Sequence, residues 1–126
     1  MIFEYEMNSE TKTIENPTLE TILENLNEIN PRNKSFFILT NDSGDFVQCA
    51  GAKLRLTLEY KHLQKLNVLG LEKENKEGIS INYSGGAISL QRNEVLNIND
   101  AIKVFENFYK AGNIPNSYIL RQVELD

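Results

Sequence analysis

Along residues 35–61 (SFFILTNDSGDFVQCAGAKLRLTLEYK), apolar runs and turn-forming residues alternate in a way that predicts three consecutive antiparallel strands. Residues 35–40 are mostly aromatic and branched. Asn41-Asp42-Ser43-Gly44-Asp45 then supplies the asparagine, aspartate and glycine that tight turns require. Residues 46–50 follow, with a break at Gly51, and after it the long run 53–61. In that run Leu54, Leu56, Leu58 and Tyr60 alternate with Lys53, Arg55, Thr57, Glu59 and Lys61. A period of two predicts one buried face and one wet face, as in an antiparallel sheet covered on a single side.

Two segments carry the longer helical period instead. Leu19, Ile22, Leu23, Leu26 and Ile29 recur at three- and four-residue steps and make one apolar stripe. Asn16-Pro17 opens this helix: an N-cap asparagine accepts an orphan backbone proton, and proline at the first helical position has no N–H to leave unpaired. Asn30-Pro31 closes it, because the residue before a proline is driven out of the helical region. The second helix starts after Asn97, where Asn97 and Asp100 have the spacing of a capping box. Its stripe is Ile98, Ala101, Ile102, Phe105, Phe108 and Tyr109, with Gly112 as a left-handed stop and Pro115 beyond it.

The remaining pattern fills in the sheet. Residues 1–6 read as a short strand and 8–16 as a polar loop. Leu66, Val68 and Leu69 mark a strand before Gly70, and 71–78 a mixed-charge solvated turn. Ile79, Ile81 and Tyr83, then Ile88 and Leu90, alternate with polar residues around Ser84-Gly85-Gly86 and predict a hairpin. Residues 118–123 return as a closing strand. The fold class expected is α+β: an antiparallel sheet of about five to seven strands, covered on one face by two helices at about 17–29 and 98–111.

At 126 residues the chain forms one domain, and it buries roughly two-thirds of its unfolded surface. Cys49 is the single cysteine, so no internal disulfide forms, which fits a reducing cytoplasm. Met1 leads into Ile2-Phe3-Glu4-Tyr5-Glu6 without a basic start and apolar run, so no signal peptide is expected. Nor does any apolar stretch approach the ~20 residues that span a bilayer. A cytoplasmic protein is expected, with a monomer as the default state and no membrane partner.

Charge changes the picture more than composition does. The net charge is −5, but residues 1–30 hold seven acids against Lys12 alone, a balance of −6 that leaves the other 96 residues at +1. Such an acidic pole repels nucleic acid and attracts basic partners. On the first helix Glu20, Glu24 and Glu28 stack at i, i+4 spacing with no lysine between them, an arrangement that costs a few tenths of a kcal/mol per pair. Either that cost is tolerated, or a cation from outside completes the row.

Catalytic chemistry is sparse. His62, the one histidine, has no cysteine or acid at ligand spacing and reads as a surface residue, so no metal is expected. Cys49 lies within a strand that should be buried, where a thiol acts as a small apolar group. His62 is the only imidazole that could serve it as a base. Asp42, Asp45 and Glu59 could converge as acids, but Asp42 and Asp45 flank a turn glycine, where acids serve turn geometry. Ser84-Gly85-Gly86 lacks the lysine and helix of a phosphate loop. Lys53, Arg55 and Lys61 share a strand face with Glu59, a poor surface for nucleic acid. No catalytic residue and no cofactor is expected, which leaves proteins that bind.

Three stretches, in this order, resemble the immunity proteins of bacterial polymorphic toxin systems, specifically immunity protein family one. The first is FFILTNDSGDFVQCAG, in which a strand and turn lead into Phe46, Gln48 and Gly51. The second is LRLTLEY, with Glu59-Tyr60 closing a strand. The third is NEVLNINDAIKVFENFYKAGNIP, similar to the family's terminal helix with its face of Phe105, Phe108 and Tyr109. Together they span most of residues 35–123. Proteins of this type often place a tryptophan in the final strand; Tyr118-Ile119-Leu120-Arg121 has none.

The resemblance implies a small cytoplasmic protein that binds and neutralises the toxic C-terminal domain of a cognate toxin, a nuclease or nucleobase deaminase whose cleft is basic. An acidic surface can imitate a phosphate chain there and speed encounter by steering. The contact residues expected are Glu20, Glu24 and Glu28, with Asp42 and Asp45, and in competition the sheet face of Arg55, Thr57 and Glu59. Two other readings stay open: an acidic secretion chaperone, which would hold an unfolded effector segment as a dimer, and a small enzyme, which would show a concave pocket with perturbed titratable groups.

Overall fold

Tight turns between short strands build most of this chain, and the computed structural model describes residues 1–72 and 76–124. Strand β1 (Ile2–Met7) turns at Asn8-Ser9 into β2 (Glu10–Glu15). Both turn residues have positive φ (51° and 70°), the conformation of the two-residue hairpin turn that matches strand twist. Residues 8–16 are therefore not a loop: Thr11, Thr13 and Ile14 pair along β1 as a polar edge strand. Helix α1 (Leu19–Leu26) follows, then β3 (Phe36–Thr40), β4 (Phe46–Ala52), β5 (Arg55–His62) and β6 (Lys65–Gly70). Next come the hairpin β7 (Gly78–Tyr83) and β8 (Gly86–Gln91), a 3-10 turn (Arg92–Glu94), helix α2 (Ile98–Ala111) and β9 (Ile119–Val123). The expected solvated turn at 71–78 is met only in part, since residues 73–75 lie outside the described residues.

The main sheet is antiparallel and seven-stranded, in the order β2-β1-β3-β4-β5-β6-β9, with β7-β8 as a separate pair. Both helices cover one face. Ile22 and Leu26 of α1 and Ala101, Val104, Phe105 and Phe108 of α2 join Phe3, Phe37, Leu39, Val47, Leu58 and Leu69 in one core. The α+β architecture is as the pattern of periods implies. Helix α2 begins where its capping box places it: Asn97 Oδ1 accepts from the N–H groups of Asn99 and Asp100, and Asp100 accepts back from Asn97 N–H. Asp100 also receives the Tyr118 hydroxyl at 2.6 Å, which ties the start of α2 to the approach to β9. No helix of the described residues is long and apolar enough to cross a membrane.

Helix α1 is shorter than 17–29. Asn16 is left-handed (φ 51°), Pro17 is buried ahead of the helix, and Thr18 is the cap, its hydroxyl accepting from Thr21 N–H at 3.1 Å. The helix stops at Asn27, and the chain continues in tighter three-residue steps, Glu28 N–H to Asn25 O and Ile29 N–H to Leu26 O. Periodicity alone does not separate these steps from a helix, since Ile29 is still buried. The alternation in 53–61 is also altered at its start. Lys53 and Leu54 form the turn between β4 and β5, so Leu54 is 83% exposed instead of buried. Gly51 is paired within β4 rather than breaking it. Its φ of 133° lets the backbone of β5 approach so closely that a Cβ there would stand 2.9 Å from Leu56 Cα.

The second face of the sheet is not wholly wet. Ile81 and Leu90 of the hairpin bury Val68, with Ile79, Ile88, Val95 and Val123 around them, so the hairpin crosses the face opposite the helices. Thr57, expected in water, is buried, and Glu59, which lines the space under the hairpin, is half-buried. At the hairpin's far end Ser84 N–H donates to Ser35 Oγ at 3.1 Å, and Ser35 Oγ in turn donates to Glu6 at 2.7 Å. Ser35 N–H also reaches the Glu6 carboxylate, at 2.8 Å. Burial by itself raises the Glu6 pKa, but the hydrogen bonds from Ser84 and from the Ser35 hydroxyl and N–H outweigh it and leave the carboxyl below its ordinary value.

Two outcomes follow for stability, both read by urea unfolding. Glu6→Ala is expected to cost about 1.5–3 kcal/mol at pH 7, the net worth of hydrogen bonds to a charged group. Because the folded-state pKa is depressed, this contribution is present above the unfolded carboxyl pKa and is lost as pH falls through the folded value, so the gap to wild type narrows in acid. Gly51→Ala is expected to cost at least about 1–3 kcal/mol from backbone strain, without pH dependence.

Candidate functional site

The acids marked by the sequence do not form one cluster. Glu20 and Glu24 are exposed on α1, and neither makes an ion pair with a described residue. Glu28 lies beyond the helix and is paired: Lys34 Nζ stands 2.5 Å from Glu28 Oε1. Lys34 is itself buried, donates also to Asn25 Oδ1 at 2.8 Å, and sits over the Tyr5 ring. The cation for this row therefore comes from within the chain and serves only its last member. Asp42 receives the Met1 ammonium at 3.3 Å, while Met1 O accepts from Asn16 N–H, so this turn adjoins the segment leading into α1. Asp45 points elsewhere, to His62 Nδ1 at 2.7 Å.

His62 and Cys49 do not meet. In the β4–β5 register Cys49 faces Leu58, while His62 lies four residues further along, roughly 13 Å away at strand rise. Burial pushes the Cys49 thiol pKa well up, so it stays protonated. His62 instead stacks on Tyr60 with ring centroids 5.7 Å apart and planes at 5°. Burial, and then the Asp45 charge, raise the Tyr60 pKa, and Tyr60 Oη donates to Gly112 O at 3.4 Å. The acid beside His62 came from a turn 17 residues away, which spacing along the chain does not reveal. Among the described residues no group of three histidine, cysteine or acidic side chains could hold a metal ion.

A concave site does exist on the hairpin side of the sheet. A groove of about 270 Å³ lies between hairpin and sheet, with Ile38, Gln48 and Glu59 in its lining, Phe36 and Ala50 beside them, and Tyr83 and Ile88 from the hairpin. Register explains the set: Ile38, Gln48, Glu59, Val68 and Arg121 stand opposite one another on adjacent strands and so share this face. Gln48 Nε2 donates to Glu59 Oε1 at 2.6 Å. Arg121 is close enough for its charge to act on Glu59, but its Nε and Nη2 both bond the buried Glu94 carboxylate at 2.8 Å. Burial raises the Glu59 pKa; the Gln48 bond and the Arg121 charge oppose this and do not cancel it. Arg55, expected beside Glu59, lies exposed at the β4–β5 turn, outside the groove.

Glu59 was among the sequence candidates, but the groove around it was not. Its signal is residues 36–39, Phe-Phe-Ile-Leu, an unbroken apolar run that marks a strand covered on both faces. Comparison with known proteins adds no further guide: the sequence matches no family model, and a search of curated proteins finds no match.

A carboxyl whose folded-state pKa is raised opposes folding once it is charged. Glu59→Gln is therefore expected to raise Tm at pH 7, and the gain should vanish in acid, below the unfolded carboxyl pKa, where wild type carries no charge at this position either. Tm measured by calorimetry across pH checks the sign.

Proposed function

We propose that this chain is an immunity protein: it binds the toxic C-terminal domain of a cognate bacterial toxin, a nuclease or nucleobase deaminase, and neutralises it without covalent chemistry in the cytoplasm of the cell that makes it. The inhibited surface is the toxin's active site or an exosite beside it. The observation that carries the reading is the uncompensated acid of the N-terminal segment. Glu20 and Glu24 project from α1, and Glu15 from the edge strand β2, all exposed and without an ion pair to a described residue, whereas Glu10 of β2 is paired with Lys12 at 3.2 Å. Like charges held one turn apart on a surface helix weaken it slightly and are more useful to a basic partner than to the helix. The order of the three family-like stretches supports the same reading.

The groove gives one specific observation in favour of a small enzyme, since a half-buried carboxyl of raised pKa in a concavity is what such a site would show. General acid–base work, however, needs a second reacting group. Beside Glu59 stand Gln48, a neutral amide, and Arg121, which is committed to Glu94. Binding is the better use of this arrangement.

The first observation to make is whether a toxin-like reading frame lies directly upstream of this gene; its product is the partner to test. The double variant Glu20→Lys/Glu24→Lys is expected to weaken affinity for its C-terminal domain by about tenfold or more and to flatten the salt dependence. Glu28 is left intact, because reversing it would set two cations together at Lys34. Unchanged affinity and salt slope, with circular dichroism showing a native fold, would mean that α1 is not the contact surface; the pair Arg55→Glu and Glu59→Lys then tests the sheet face.

A further inference from the structure

We propose that the groove between the β7–β8 hairpin and the sheet is a socket for a single arginine side chain of the partner protein, with Glu59 receiving the guanidinium. This rests on the reading of the chain as a binder of a basic protein, and deepens it by naming the side chain and its seat. Size comes first. At about 270 Å³ the groove falls just under the ~300–1,000 Å³ typical of pockets that enclose whole small ligands, so one long side chain suits it better.

The polar groups select the charge. Glu59 Oε1 is held by Gln48, which fixes the carboxylate's orientation, while Oε2 has no hydrogen-bond partner among the described residues. Arg121 does not fill that place, since its fork is used on Glu94. Two carboxylates thus share one guanidinium, and one negative charge is left over at the groove. The cross-strand row that contains Glu59 and Gln48 continues through Ile38 to Glu4, a second acid on the same face outside the groove. An anionic ligand would be repelled. A purely apolar one would strip water from Glu59 and return no hydrogen bond.

The walls choose between the two basic side chains. Ile38, Ile88 and Ala50 offer apolar surface to an aliphatic stem, and Phe36 and Tyr83 offer rings. A lysine ammonium is compact and strongly hydrated, and such a lining costs it that hydration. The guanidinium is planar, more weakly hydrated and able to stack on rings while it donates to a carboxylate. Its several donors can also reach the Gln48 carbonyl oxygen, which no described group occupies.

The test needs no toxin, so its outcome is independent of the charge-reversal experiment on α1. The full chain, labelled with nitrogen-15, is titrated with N-acetyl-arginine methylamide and, separately, with the citrulline analogue, which keeps the shape and removes the charge. The arginine probe is expected to shift the amide signals of Ile38, Gln48, Glu59, Tyr83 and Ile88, and the citrulline probe to leave them in place. Glu59→Gln should weaken arginine binding about tenfold or more, as a charge-assisted bond becomes neutral. Ile88→Arg, which sets a guanidinium in the groove from its own wall, should abolish binding with Glu59 retained. Equal shifts from citrulline, no shifts from arginine, or shifts confined to the acids of α1 would each overturn the socket.

Discussion

A carboxylate shut away from water needs donors, and Glu6 takes them from Ser35, 29 residues along the chain. Ser35 in turn is bonded by Ser84 at the tip of the β7–β8 hairpin. This short relay joins the first strand, the segment leading into β3 and the hairpin, three pieces that no turn connects. The apolar half of the same task is done further from the tip, where Ile81, at the hairpin's middle, and Leu90 close over Val68. Held at its tip and again from its middle onward, the hairpin spans the sheet without filling the space beneath Tyr83 and Ile88. The groove is what remains between the two attachments.

Glu59 is affected most by that arrangement. On an open sheet its carboxylate would be hydrated and ordinary. Under the hairpin it loses part of its water and keeps only the Gln48 amide as a direct donor, with Arg121 acting at a distance. The contrast with Glu94 is instructive. Glu94 is more deeply buried, yet it holds a bidentate arginine and the Gln91 N–H, so its charge is fully matched. Two glutamates near one arginine end in opposite conditions, one used in holding the fold together and the other left able to accept.

The acid distribution follows the same division between structural and available charge. Glu6 and Glu28 are committed, one to serines and one to Lys34. Asp42 and Asp45 hold the N-terminus and His62. Glu20 and Glu24 remain in solvent. A formal balance of −6 over the first thirty residues therefore overstates the charge a partner would meet there, and Glu20 and Glu24 are the clearest part of it.

By itself the sequence determined the elements whose signals are local. The Asn97–Asp100 box, the left-handed Gly112 and the Phe105–Phe108 stripe place α2 to the residue, because capping and helical period act within a few positions. The turn at 41–45, the β7–β8 hairpin and the α+β class followed from equally short-range chemistry. Where local signals compete, the pattern misleads: Asn16-Pro17 resembles a helix start, yet Thr18 caps α1, and 8–16 is mostly polar, yet pairing with β1 satisfies its backbone as a strand. Only tertiary structure decided what lies on the second face of the sheet. Period-two alternation says that a face is polar, but not whether another element will cross it. Gln48 and Glu59 acquired their surroundings from a hairpin about 20–40 residues further on, through contacts that strand periodicity does not encode.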